Sequence, residues 1–341
     1  METHADFVTR RQAEGVGYKT AIMEHAVIRR GLPYHRHNRY IIVAETPRGT
    51  HLPFHMMNGP SSSLVGRSIC DRKHVARMHL EDAGLSVPTT QTFRSREMDK
   101  AWDFAQTLAG PCVVKPVSLS KGRGVTTGIR TREQFEAAWA GVRKAQGSTA
   151  GQRLVMVEAH ITGRDYRLFV VGDRMVAASQ RKRPNVTGDG VHSIAELIAE
   201  KNVTRVQSPI LHPYPIPTDP AALDTLVHDG IPVDHVPADG EEVLLRGTSN
   251  LSGGGDSVDL TDEIHDGFRE LGLRALQAIP GMEYLGIDVI APSLQEAPDP
   301  QTCAVTEVEF SPGPVSNFPV VGEPRDMGQA ILEHYLQDGR W

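Results

Sequence analysis

"VVKPVSLSKGRGVTTGI", residues 113–129, sets a lysine and a run of glycines where an ordinary strand pair would carry side chains. Lys115 closes an apolar run; Gly122, Gly124 and Gly128 follow, and Val125, Thr126, Thr127 and Ile129 read as a returning strand. Two phosphate-binding motifs are excluded by order alone. A GxxxxGK[ST] loop has its lysine after the glycines, whereas here the lysine precedes them. A dinucleotide fingerprint needs GxGxxG ahead of a helix, and here the spacing is GxGxxxG ahead of a strand. The stretch therefore predicts a β-hairpin with a glycine-rich tip and a cation on its first strand. A buried strand tolerates an ammonium when an anion meets it, so a polyphosphate is the expected ligand. The plainer alternative is a surface turn with a solvated lysine.

Working outward, the chain has 341 residues, enough for two or three subdomains. With 36 basic and 42 acidic residues the net charge is −6, and no long basic tract appears, which argues against nucleic acid as a partner. Cys70, Cys112 and Cys303 lie far apart without CxxC spacing, so neither zinc nor a disulfide framework is implied. "METHADFVTRRQAEG" lacks the apolar core of a signal sequence, and no run approaches membrane-spanning length. A soluble, cytoplasmic protein with no membrane partner is expected.

The patterning predicts helices over 18–31, stopped at Gly31, and from about Asp71 to Ala83, stopped at Gly84. In "TREQFEAAWAGVRKA" (131–145), Thr131 and Gln134 form a capping box, and Phe135, Ala138, Trp139 and Val142 line one face. Ser193 and Glu196 repeat the device before another helix, and a further helix is expected from near Thr261. Strands are predicted at 40–45, 111–116, 153–157, 166–171, 174–178, 286–291 and 303–309, and the five prolines of 207–221 require loop or extended chain. Strands interleaved with helices give an α+β or α/β class.

Carboxylates recur at apolar strands. "LGIDVIAP" holds Asp288, and "VTEVEFSPGP" holds Glu307 and Glu309, which share a face by the strand period of two. Three such acids repel one another unless a hard cation such as magnesium joins them, or unless they point to solvent from strand edges. Lys73, in "ICDRKHV", is a second candidate cation beside Lys115, and "VEAHITGRDYR" (157–167) is a short connector between strands.

At this point the sequence resembles the ATP-grasp superfamily, most of all the ATP-grasp part of cyanophycin synthetase. The resemblance runs from about Gly66 to near the C-terminus, and its segments keep the family's order: "ICDRK", "VVKPVSLSKGRGVTTGI", "GRDYRLFVVGDRMVAASQR", "GDGVHSIAELI", "LLRGTSNLSGGGDSVDLTDEIH", "GIDVI" and "EVEFSPGP". It implies an ATP-grasp fold in which two α+β subdomains clasp ATP behind a smaller N-terminal one. The expected division is 1–70 on the substrate side, 71–165 as a lid with the glycine loop, and 166–341 with the metal and substrate sites. Residue by residue, Lys73 and Lys115 would hold the α- and β-phosphates. The Lys121–Thr127 loop, with Ser120, Gly122, Gly124 and Val125, would close over the triphosphate. Glu158, Ala159 and Ile161 would meet the adenine, and Asp165 the ribose. Arg181 and Arg246 match arginines near the transferred phosphate and the acyl group. Asp288, Glu307 and Glu309 match the Mg2+ (or Mn2+) positions, although Glu309 stands where relatives commonly carry asparagine.

The implied activity is that of an ADP-forming carboxylate–amine ligase. It would join small-molecule amino-acid or peptide substrates through an acyl phosphate, with no side-chain nucleophile. The second ligase domain of cyanophycin synthetase is unmatched, so a stand-alone enzyme making one amide bond is expected, and a homo-oligomeric state stays open. A kinase of the same superfamily and an inactive nucleotide-binding protein are the rival readings. His192 and His265 are either proton-transfer helpers or residues that start helices.

Overall fold

The computed structural model describes residues 2–117, 119, 123–147 and 154–341. Its contacts divide the chain into two units: Met1–Ser62, Arg167–Glu263 and Ser311–Trp341 form one, and Ser63–Tyr166 with Ile264–Phe310 the other. The chain thus leaves each unit and returns to it.

The first unit begins with α1 (His4–Ala13) and α2 (Tyr18–Arg29), followed by the antiparallel sheet β1 (Tyr34–Arg36), β2 (Ile41–Glu45) and β3 (His51–His55). The alternation in β3 buries Leu52 and Phe54 and leaves His51, Pro53 and His55 exposed, the period-two signature of a sheet covered on one side.

In the second unit, Ser63 caps α3 (Leu64–Cys70) by accepting from the Gly66 N–H at 2.9 Å, and α4 (Lys73–Asp82) follows. The sequence predicted one helix here. Two form, and the second ends as expected at Gly84, whose φ of +70° is open to glycine and strained for residues with a Cβ. Then come β4 (Thr90–Arg94), α5 (Met98–Thr107), β5 (Cys112–Pro116), β6 (Thr126–Ile129), α6 (Arg132–Gln146) and β7 (Leu154–Ala159). The strands make an antiparallel sheet in the order β4-β7-β5-β6, so the predicted hairpin forms and β5 lies inside the sheet.

Both halves of the α6 capping box are present: Thr131 accepts from the Gln134 N–H, and Gln134 accepts from the Thr131 N–H at 3.2 Å. Phe135, Ala138, Trp139 and Val142 are buried against Phe93, Val114, Val155 and Val157. Each large side chain so buried stabilises the unit by about 1.5–3 kcal/mol. The Trp139 indole N–H donates to the Ser95 carbonyl at 3.1 Å, which satisfies its one polar group.

β8 (Arg164–Val171) leads back to the first unit, where β9 (Arg174–Lys182), β10 (Asn185–Thr187) and α7 (Ile194–Arg205) follow. Ser193 and Glu196 form the predicted box. After the proline-rich stretch come α8 (Asp224–Asp229), β11 (Glu242–Leu244), which pairs with β10, and β12 (Asp256–Asp259), which pairs with β9. The helix expected from Thr261 starts later. The Thr261 hydroxyl donates to Asp259 at 2.5 Å and accepts from the Ala178 N–H at 3.0 Å, which fixes a turn, and His265 caps α9 (Asp266–Gln277) instead. α9 and the hairpin β13 (Tyr284–Ala291) and β14 (Ala304–Glu309) belong to the second unit, and α10 (Met327–Gln337) packs on α2 in the first. The named ladders are antiparallel, which makes the class α+β and not α/β. Among the described residues no helix is long and apolar enough to cross a membrane, and all three cysteines are buried thiols.

Candidate active site

The second unit gathers most of the predicted residues around two ion pairs. Val113 of β5 stands opposite Glu158 of β7, so the Lys115 and Glu158 side chains leave the same face of the sheet. They meet at 2.6 Å, with side-chain exposures of 12% and 6%. A second cation reaches the same carboxylate: the Arg77 guanidinium of α4 lies 2.5 Å from the other Glu158 oxygen, an ion pair rather than an aligned hydrogen bond. Arg77 also donates to the Thr90 hydroxyl on β4 and, at 3.1 Å, to the Thr306 carbonyl on β14. One turn earlier on the same helix face, Lys73 pairs with Glu307.

Burial pushes the Glu158 carboxyl up, but Lys115 and Arg77 outweigh it and hold the group below its ordinary range. Burial also pushes the Lys115 ammonium down, and Arg77 and Lys73 push the same way against Glu158. Two cations therefore share one buried carboxylate. The Lys115–Glu158–Arg77 group carries one more positive charge than its own carboxylate balances, and an incoming polyanion relieves that excess.

On the β13–β14 hairpin, Asp288 stands opposite Glu307 and Gly286 opposite Glu309, so the register puts the three acids on one face. As hard oxygen donors they suit magnesium in kind. Among the described residues, however, no three such groups are close enough together to hold a metal, and Glu307 is engaged by Lys73. Glu158 and Ala159 end β7, Ile161 lies half-buried in the connector, and half-buried Asp165 is the second residue of β8. Gly124 and Val125 precede β6. Gly124 has φ +71°, and a Cβ there would stand 2.9 Å from that of Ala145. Ser120, Lys121 and Gly122 lie outside the described residues.

Arg181 and Arg246 belong to the other unit. Arg181 is on β9 opposite Ser257. Arg246 follows β11 and donates to the Gly253 carbonyl at 3.2 Å, while its Nε–H is buried without a partner among the described residues. The two histidines start helices: His265 Nδ1 accepts from the Gly267 N–H at 3.0 Å, and exposed His192 pairs with Asp189 at 2.5 Å just before α7.

Sequence reading missed Arg77. Its signal was available in the i, i+4 spacing from Lys73, which sets both cations on one face of α4.

The chain matches no protein-family model. It is 32% identical over 299 residues to the glutathione biosynthesis bifunctional protein GshAB of Pasteurella multocida, a match spanning 84% of this chain and 38% of that protein. It is 30% identical over 282 residues to cyanophycin synthetase of Synechocystis sp., spanning 82% and 32%. The crystal structure of a bifunctional glutathione synthetase from Pasteurella multocida matches 93% of this chain and 44% of its own, with a TM-score of 0.70 at 29% identity. The chain thus spans less than half the length of each of these proteins.

Proposed function

We propose that this chain, an ATP-grasp protein homologous to a part of GshAB and of cyanophycin synthetase, is an ATP-dependent, ADP-forming carboxylate–amine ligase. The observation that carries the proposal is the buried Lys115–Glu158–Arg77 group, an anion site in which cations outnumber the carboxylate. A carboxylate is a poor acyl donor. Transfer of the terminal phosphoryl group of ATP to a carboxylate oxygen gives an acyl phosphate and ADP. An amine then attacks the acyl carbon, the carbon–oxygen bond breaks, and inorganic phosphate leaves with that oxygen.

Lys73 and Lys115 contact the α- and β-phosphates, where fixed cations stabilise charge that develops on the oxygens. The 121–127 stretch, with Ser120, covers the triphosphate and excludes water that would hydrolyse the acyl phosphate. The main chain at 158–161 meets the adenine, and Asp165 the ribose. Arg181 and Arg246 meet the transferring phosphoryl group and the acyl oxygen. Asp288, Glu307 and Glu309 would hold Mg2+, or Mn2+, whose charge neutralises the phosphate oxygens when it is bound. Residues 1–70 form the substrate-side part, 71–165 the lid and 166–341 the part that completes the site. The substrates are amino acids or a small peptide.

The test is a screen of amino-acid pairs for ADP release, with any product identified by mass. No ADP above the no-substrate rate with any pair, and no amide product, would remove the ligase reading. The metal assignment has its own expected result. Glu307→Gln should raise the magnesium concentration needed for half-maximal activity by at least about tenfold, the loss that even outer-shell partners of a metal produce. Glu309→Gln should raise it less, because relatives of the resembled family commonly carry an amide at that position and a carboxylate at that of Glu307. Equal and negligible shifts would remove both acids from the metal site.

A further inference from the structure

In the first unit, Arg205 ends α7 and is 3% exposed. Its guanidinium donates to the Gly255 carbonyl at 2.8 Å, to the Leu251 carbonyl at 3.2 Å and to the Tyr214 carbonyl at 3.0 Å. It also meets Asp256 Oδ1 at 3.0 Å. Asp256, the first residue of β12 and 5% exposed, is held on its other oxygen by Lys201 at 2.6 Å and by the Asn185 amide at 3.3 Å. Gly253 lies between the two clamped carbonyls, and it is the Gly253 carbonyl that accepts from Arg246.

The turn that Arg205 grips admits no bulk. A Cβ on Gly255 would stand 2.7 Å from the Lys182 carbonyl oxygen, and one on Gly253 would stand 3.1 Å from the Arg246 guanidinium. The turn is held from outside by a planar fork that a monodentate ammonium cannot copy. The held object is an arginine whose Nε–H is buried and unpaired, a donor directed at no group of the described chain.

We propose that Arg205 is a positioning residue for Arg246: by clamping Leu251 and Gly255 it fixes the carbonyl between them against which the Arg246 guanidinium is set. Asp256 and Lys201 hold Arg205 in turn. The catalytic consequence rests on the proposed reading of Arg246 as a contact to the reacting groups; the positioning itself does not.

The experiment follows the Nε–H signal of Arg246 by NMR in the full chain, assigned by its loss in Arg246→Lys. The signal of Arg77, also buried and without a partner at Nε among the described residues but in the other unit, is the internal control. Arg205→Lys keeps the charge beside Asp256 and loses the fork. Solvent exchange of the Arg246 Nε–H should then accelerate by about tenfold or more while that of Arg77 is unchanged, a local opening and not a global one. If Arg205→Lys does not fold, Lys201→Met, which removes the outer support of Asp256 together with the bonds Lys201 donates to the Asn185 carbonyl and side-chain oxygen, should accelerate it about two- to threefold. Unchanged exchange at Arg246 in whichever variant folds, or equal acceleration at both arginines, overturns the proposal. With a substrate pair in hand, Arg205→Lys should lower kcat by about tenfold to a hundredfold and leave the KM for ATP nearly unchanged, as misplacement of a catalytic contact does. Should wild type release no ADP with any pair, the ligase reading fails alone, and the exchange result still decides the role of Arg205.

Discussion

Lys115→Ala should give a folded protein that turns over ATP about 30- to 1,000-fold more slowly than wild type, a loss of roughly 2–4 kcal/mol of transition-state stabilisation. The fold survives because Glu158 keeps its second partner, Arg77, and because alanine fits a strand interior more easily than a buried ammonium does. Activity does not survive, because Lys115 is the cation whose charge is least compensated: burial, Arg77 and Lys73 all push its ammonium down. On the proposed reading, a phosphate group would offset that and hold the ammonium charged. ADP release at saturating ATP measures the effect, with thermal melting to establish that the variant is folded. Wild-type turnover in a folded Lys115→Ala would remove this lysine from the site.

Arg77→Met carries the largest expected effect on stability, a loss of about 1.5–3 kcal/mol, because it removes one of the two cations on the buried Glu158 carboxylate while Lys115 stays paired with it. The substitution also removes the donors to Thr90 and to the Thr306 carbonyl, so β4 and β14 lose their common tie to α4. Urea unfolding measures it. The double variant Arg77→Met/Glu158→Gln should lose less than the sum of the single changes, since with the charge gone there is less to leave unpaired. The acid limb gives a second readout. The Glu158 carboxyl is held below its ordinary value of 4.5 in the fold, so its contribution to stability is present above that value. It is lost as pH falls through the lower, folded value. In Arg77→Met one of the two groups that depress it is gone, so wild type should lose more stability than the variant between about pH 5 and the acid limit. Equal stability of Arg77→Met and wild type at neutral pH would mean that Glu158 does not depend on Arg77.

The parts of the site that were legible in sequence are those written locally. A lysine at the end of an apolar strand, glycines that forbid a packed tip, and a returning strand within seventeen residues fixed the β5–β6 hairpin. Capping boxes at Thr131 and Ser193 set two helix starts because N–H partners three residues apart leave a local pattern. What stayed hidden is non-local. The family resemblance gives Glu158 only a backbone contact to adenine, and nothing near it in sequence announces that Arg77, 81 positions earlier, reaches its carboxylate. The Arg205–Asp256 pair, 51 positions apart, is equally silent. Glu307 and Glu309 were correctly put on one strand face, yet the engagement of Glu307 by Lys73 joins a helix and a strand that sequence reading treats separately. The helix expected from Thr261 starts later for a local reason: the threonine hydroxyl bonds back to Asp259 and competes with a helix start there.

The central claim is that a carboxylate is activated by phosphoryl transfer, and following one oxygen atom tests it most directly. A substrate labelled with heavy oxygen in its carboxylate, once a reactive pair is known, should pass one label to inorganic phosphate for every amide formed. The oxygen that bridges carbon and phosphorus leaves when the amine attacks. A kinase acting on a hydroxyl would leave a phosphorylated product and unlabelled phosphate, and activation through an adenylate would put the label in AMP. Label recovered in phosphate, one per amide, is the result this account predicts; an amide product with its label anywhere else contradicts it.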